Sequence, residues 1–355
     1  MLLVAATSVL TWLACLWYGA GPQGDVRKIR YSVPQAVSPQ AKAVYERLLP
    51  LVAARDAQGQ PRSAEAYAAR NAEMQAGAKE KNRPLLEKLG VTTRDLDFGG
   101  VRAVEISPRN DRDDGTVLLH VHGGGFVLGS AHGSLNISAL IAAYSGRRVI
   151  SVDYTLAPQA DFQRVTDEVV AAYEAVLAQG HAAGSIGLIG ESAGGNIVAA
   201  STLKLRDRGL PMPGALILLS PAVDLAMKGD TDASLGAADP ALFDGESLRV
   251  AFALYAPPAE WRNPYASPIH GDFSKGYPPV LLQAGTKERL LSDSVRLYQA
   301  VKTAGGVAEL DVYEGMPHVF QAFMTDAPEQ KAAFEAQRHF WVAHLAASGS
   351  SQNKQ

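Results

Sequence analysis

Gly190-Glu191-Ser192-Ala193-Gly194 decides how this chain reads. The five residues directly follow a short apolar run, Ser185–Ile189, and directly precede a stretch of helical character, Ala193–Arg208. A strand that turns this sharply into a helix holds its serine in a strained, exposed corner. Side chains at the two glycine positions would collide with neighbouring backbone, so only glycine fits. The helix N-terminus carries partial positive charge, which favours an anion forming there. The five-residue pattern alone also fits an ordinary glycine-rich turn. The strand before it and the helix after it turn the reading toward a nucleophilic serine.

Working outward, His122-Gly123-Gly124-Gly125-Phe126 ends another apolar run, Thr116–Val121. Successive glycines let backbone N–H groups approach and hydrogen-bond a tetrahedral oxyanion. One donor is expected from this turn, and a second from the N–H of Ala193, the residue after the serine. A phosphate cradle is disfavoured because no Gly-Lys-Ser/Thr follows.

A nucleophilic serine needs a base, and the base needs an orienting acid. Of the eight histidines, His318 lies in a loop directly after the last strand candidate. That is where the chain order serine, acid, histidine requires it. His122 reads as a structural hydrogen-bonder of the glycine turn and His120 as part of its strand. His339 and His344 fall in the last helix, and His132, His181 and His270 have no motif around them. The acid should follow the run Val280–Gln283, where Glu288 and Asp293 compete. Asp293 has a ready role near a helix start, so Glu288 is preferred. Glu314 is the weaker third candidate and reads as a solvated strand end.

The wider texture agrees. From about Val91, apolar runs alternate with helical stretches: Val101–Ile106, Thr116–Val121, Arg148–Val152, Ser185–Ile189, Ala215–Leu219, Val280–Gln283 and Glu309–Tyr313 are strand candidates. Asp167–Gln179, Ala193–Arg208, Asp293–Ala304 and Gln330–Ala347 are helix candidates. Such alternation predicts an α/β fold with a doubly wound, mostly parallel sheet, opened by an antiparallel pair across Gly99-Gly100. Residues 22–90 read as helical, with Ala41–Ala54 and Ala64–Leu89 as the helices and no strand. Asp224–Lys275 is too long for a simple crossover and is expected to be an insertion, with a helix at Ser247–Tyr255. Residues 348–355 read as a disordered tail.

Composition removes several function classes. The chain has 355 residues, 33 Lys+Arg and 36 Asp+Glu, a net charge of −3. That balance offers no electrostatic footprint for nucleic acid and points to neutral substrates. The single cysteine, Cys15, excludes a disulfide framework. Only Met1–Ala20 approaches membrane-spanning length. With Gly21 it reads as a signal peptide (residues 1–21) or as a single membrane anchor. The signal reading lacks a basic start. In the anchor reading, Arg27, Lys28 and Arg30 would hold the rest on the cytoplasmic side. A lipid-attachment site at Cys15 and a buried N-terminal helix are further alternatives. Oligomeric state is left open.

With these residues in hand, the chain resembles the hormone-sensitive lipase family of α/β-hydrolases. The matching pieces are His122–Phe126, Asp153-Tyr154 with Leu156-Ala157-Pro158, Gly190–Gly195, Ser220-Pro221 with Asp224-Leu225, Gly285–Asp293 and His318. The resemblance implies an α/β-hydrolase domain over residues 91–347 and a triad of Ser192, Glu288 and His318. It implies an oxyanion hole at Gly124, Gly125 and Ala193, and a helical cap built from residues 22–90 and 224–275. The expected reaction is hydrolysis of a small-molecule ester through an acyl-enzyme, with no metal and no cofactor. Phe126, Met227, Phe243, Phe252 and Tyr255 are candidates to line the pocket, Phe126 foremost. Thr155, Gln159 and Gln163-Arg164 depart from the family pattern and put a buried charge pair there in doubt. Glu191 replaces the commoner Asp or Thr. A lactonase, amidase or formamidase would use the same groups. A non-catalytic receptor on this fold would have no need of all three triad residues, and a peptidase lacks a gating domain here.

Overall fold

The computed structural model describes residues 29–112 and 114–347. Met1–Ala20, Cys15 and the 348–355 tail lie outside the described residues.

Eight strands form one sheet: β1 (Val91–Asp97), β2 (Arg102–Pro108), β3 (Val117–Val121), β4 (Arg148–Val152), β5 (Ile186–Glu191), β6 (Ala215–Leu219), β7 (Val280–Gly285) and β8 (Ala308–Tyr313). Their spatial order is β1-β2-β4-β3-β5-β6-β7-β8. β2 runs antiparallel to both β1 and β4, and all other pairs are parallel. Every residue of β3, β5, β6 and β7 is buried, which is why these strands read as unbroken apolar runs.

Side-chain alternation divides the core between two faces. Val117, Leu119 and Val121 pack with α5 (Phe162–Ala178) and α6 (Ala193–Asp207). Leu118, Ile189 and Ile217 pack on the other face with α4 (Leu135–Ser145) and α10 (Pro328–His344), where Trp341 is fully buried.

The helices differ from expectation chiefly in three places. The helix expected over Ala64–Leu89 is two helices, α2 (Ala64–Gln75) and α3 (Ala78–Leu89), because Gly77 takes a left-handed conformation between them. α5 begins at Phe162 rather than Asp167, where the Asp161 side chain accepts the Arg164 N–H and caps the end. α4 has no counterpart among the expected helices. Its residues are apolar on nearly every side and buried, so no polar stripe marks a helical period.

The segment between β6 and β7 carries two helices, α7 (Asp230–Leu235) and α8 (Gly245–Tyr255). α8 is tied to the N-terminal helices. Tyr67 Oη donates to Ser247 O at 2.7 Å, Ser247 Oγ to Pro61 O at 2.8 Å, and Arg62 pairs with Asp244 at 2.7 Å. α1 (Pro39–Ala57) packs through Ala41, Val44, Tyr45 and Leu49 on Met316, Phe320 and Met324.

Thr155 and Arg164, two of the departures from the family pattern, meet at one carboxylate. Thr155 donates through its N–H and hydroxyl to the Glu168 carboxylate at 2.7 and 2.9 Å, and Arg164 pairs with the same group at 3.0 Å.

Candidate active site

The β5–α6 corner has the strain its sequence required. Ser192 has φ 57° and ψ −120°, a region non-glycine residues rarely occupy. The corner holds because Ser192 N–H donates to Leu219 O at 2.8 Å. A Cβ on Gly194 would stand 2.0 Å from Val121 O, so the α6 start can press against β3 only as glycine. Ser192 Oγ is thereby placed at the first turn of α6.

His318 Nε2 lies 2.9 Å from Ser192 Oγ. Its other nitrogen, Nδ1, faces Glu288 Oε2 at 3.7 Å. Among the described residues neither Nδ1 nor Glu288 Oε1, both buried, has a hydrogen-bond partner, so each is the natural complement of the other. Glu288 is fully buried, and burial pushes its carboxyl above the ordinary value against the lowering pull of His318 and Ser220. Its Oε2 accepts the Ser220 hydroxyl at 2.6 Å, while Ser220 Oγ accepts the Val319 N–H at 3.1 Å. Ser220 thus joins the acid to the loop that carries His318.

The two other acid candidates stand elsewhere. Asp293 accepts the Asp224 N–H at 3.1 Å and lies 3.9 Å from Arg296. Burial, with the nearby Asp224 charge, pushes Asp293 up to about 7. Glu314 is exposed and accepts the Thr286 hydroxyl at 3.1 Å.

Ser192 and His318 open into a cavity of about 500 Å³, also lined by Gly124, Gly125 and Ala193. Among the described residues, the N–H groups of these three find no protein acceptor. Gly124 has φ 117°, and a Cβ there would meet Leu128 O at 2.2 Å. His122 is fully buried, stacks on Tyr154 at 4.3 Å, and places Nδ1 2.8 Å from Gly123 O. Burial lowers its pKa, and its contacts brace the turn. His318 alone among the eight histidines lines the cavity.

The walls are largely apolar. Tyr67 and Met74 come from α2, Ile137 from α4, Phe243, Leu248 and Phe252 from the segment between β6 and β7. Phe126 is not on the cavity wall. Its ring is fully buried and stacked on Tyr255 at 3.8 Å, with Phe252 edge-on at 5.7 Å. Tyr255 and Met227 are likewise buried away from the cavity, leaving Phe243 and Phe252 of the five apolar candidates. Sequence reasoning missed Ile137 with α4, and named Ser220 only as part of a matching piece, because its link to Glu288 joins two strand ends.

Comparison with known proteins agrees with this architecture. Residues 118–322 match the family described as the alpha/beta hydrolase fold. An acetyl-hydrolase of Streptomyces hygroscopicus is 35% identical over 227 residues, 64% of this chain and 75% of that protein. An esterase of Acinetobacter venetianus is 32% identical over 260 residues, 71% of this chain and 84% of that protein. The crystal structure of esterase E25 superposes with a TM-score of 0.81 at 29% identity, covering 88% of this chain and 96% of that one. An esterase from the bacterial hormone-sensitive lipase family gives 0.73 at 33% identity, covering 88% and 100%. The chain therefore belongs to the α/β-hydrolase family, within the hormone-sensitive lipase group of carboxylic ester hydrolases.

Proposed function

We propose that this protein is a serine carboxylesterase acting on small to medium, neutral, short-chain acyl esters through an acyl-enzyme. The observation that carries the reading is the 2.9 Å contact between His318 Nε2 and Ser192 Oγ beside three N–H groups with no acceptor among the described residues. His318 takes the Ser192 proton as Oγ attacks the ester carbonyl. Gly124, Gly125 and Ala193 donate to the oxyanion, and the α6 N-terminus adds its partial charge. As the imidazolium forms, Glu288 closes the 3.7 Å gap to Nδ1 and balances the charge. His318 then protonates the departing alcohol, and water repeats the sequence on the acyl-enzyme.

Residues 29–90 and 224–275 act as a two-part cap. The support is that α2 and the β6–β7 segment wall the cavity and are hydrogen-bonded to each other. The apolar wall suits an uncharged acyl group.

Ser192→Ala should abolish turnover of a short-chain aryl ester, and retained turnover would sink the proposal. Glu288→Gln should lose activity by orders of magnitude while Asp293→Asn keeps most of it; the reverse pattern moves the acid to Asp293. A chain-length series of esters, run beside lactones and amides, tests the substrate class.

A further inference from the structure

Directly before the nucleophile stands a buried carboxylate that the proposed reaction does not use. Glu191 Oε1 accepts the Gly123 N–H at 2.8 Å, and its Oε2 lies 2.8 Å from His120 Nε2. His120 Nδ1 in turn lies 2.9 Å from Ser151 Oγ. His120 and Ser151 are fully buried and Glu191 nearly so, at 6% exposure. The chain crosses three neighbouring strands. His120 on β3 pairs in register with Ser151 on β4, and Glu191 is the last residue of β5.

We propose that Glu191, anchored by His120, is a positioning residue that fixes the oxyanion-binding turn relative to Ser192. This rests on the esterase reading above. A glycine run has many backbone states, yet an oxyanion hole works only if its donors stay aimed before charge develops. Gly124 and Gly125 both sit at positive φ and have no side chains to lock them. Gly123, the residue before them, is held on both sides: its N–H by Glu191 and its C=O by His122. The backbone of Glu191 leads straight into Ser192, so one residue ties the nucleophile's strand to the turn that supplies the donors. A carboxylate is costly to bury unless its oxygens are hydrogen-bonded, and both are occupied here. His120 meets that need on the oxygen that Gly123 leaves free, and the Ser151 hydroxyl satisfies its far nitrogen.

The experiment compares Glu191→Ala, Glu191→Gln and His120→Gln with the unaltered chain. The readouts are kcat and KM on a short-chain aryl ester, the Ki of an aryl trifluoromethyl ketone, and the melting temperature. The ketone becomes an anionic hemiketal on the serine and therefore reports donor alignment. Glu191→Ala should lower kcat by about 10²–10³-fold, the scale of losing an oxyanion donor, with KM within about threefold. The ketone's Ki should weaken by a similar factor. Glu191→Gln keeps an acceptor for Gly123 and should restore most of kcat. His120→Gln should lower kcat by about tenfold, because the carboxylate loses one anchor. If Glu191→Ala does not accumulate as folded protein, His120→Gln decides by the same readouts. The inference is overturned if a folded variant keeps kcat and ketone affinity, if the loss appears only in KM, or if Glu191→Gln is as impaired as Glu191→Ala. An unaltered chain that neither turns over esters nor reacts with a fluorophosphonate would instead refute the esterase reading itself.

Discussion

The sequence points to Ser192 because the backbone there demands something unusual, and to His318 by its place in the chain order. The sharp β5–α6 corner leaves a glycine signature around its serine, and a loop after the last strand leaves little choice of histidine. The acid was harder. Glu288 and Asp293 are five residues apart, and spacing cannot say which one points at the histidine. The fold separates them by letting Asp293 bond the Asp224 N–H while Glu288 faces His318. Two outcomes belong at this scale. Ser220→Ala removes the hydroxyl that holds Glu288 Oε2, and loss of one hydrogen bond to a charged group predicts a kcat reduced about tenfold. Steady-state kinetics check it; an unchanged kcat would mean Glu288 is held without Ser220. Gly124→Ala puts a methyl group 2.2 Å from Leu128 O in a backbone region L-residues avoid. Its kcat/KM should fall at least about 100-fold while circular dichroism remains native.

At the scale of elements, the strands that carry the site were legible because burial on both faces makes them continuously apolar. α4 was not legible for the same reason: a helix buried all round has no amphipathic stripe. The split between α2 and α3 was hidden because a single glycine inside a helical pattern is compatible with continuity. α9 (Leu291–Thr303) supplies a pH-dependent contribution through Asp293 in its first turn. Its carboxyl is pushed up to about 7, whereas in the unfolded chain it ionises near about 4. Between those values the native state holds a proton that the unfolded state has released. Stability from this group is therefore fully present below about pH 4 and is lost as pH rises through about 7. Asp293→Asn keeps the acceptor for Asp224 N–H without titrating. Denaturant melts from pH 5 to 8 should show a smaller decline in stability for the variant. An equal decline would mean that Asp293 is ionised throughout.

At the scale of the whole molecule, the N-terminal helices are bound to the sheet's active end by a few buried contacts. Tyr45 Oη donates to Gly315 O at 2.6 Å, three residues before His318, within an apolar cluster shared with Phe320 and Met324. Arg30 pairs with Asp56 at 2.8 Å and donates to Leu242 O at the same distance, joining α1 to the segment between β6 and β7. Tyr45→Phe leaves a buried carbonyl unsatisfied and should cost about 1–3 kcal/mol in a denaturant melt. A cost near zero would mean that the cluster, not the hydroxyl, holds α1 in place. Among the described residues no helix is long and apolar enough to cross a membrane. Sequence alone marked the candidate serine, its candidate histidine, the glycine turn and the alternation that makes the sheet mostly parallel. Those features are local: a turn, a glycine or a periodic run leaves its mark within a few residues. Tertiary structure decided which carboxylate meets His318, which aromatic rings reach the cavity, and that Glu191, His120 and Ser151 form one chain. These depend on the register between strands and on which loop ends converge, and no short stretch of sequence contains that distance.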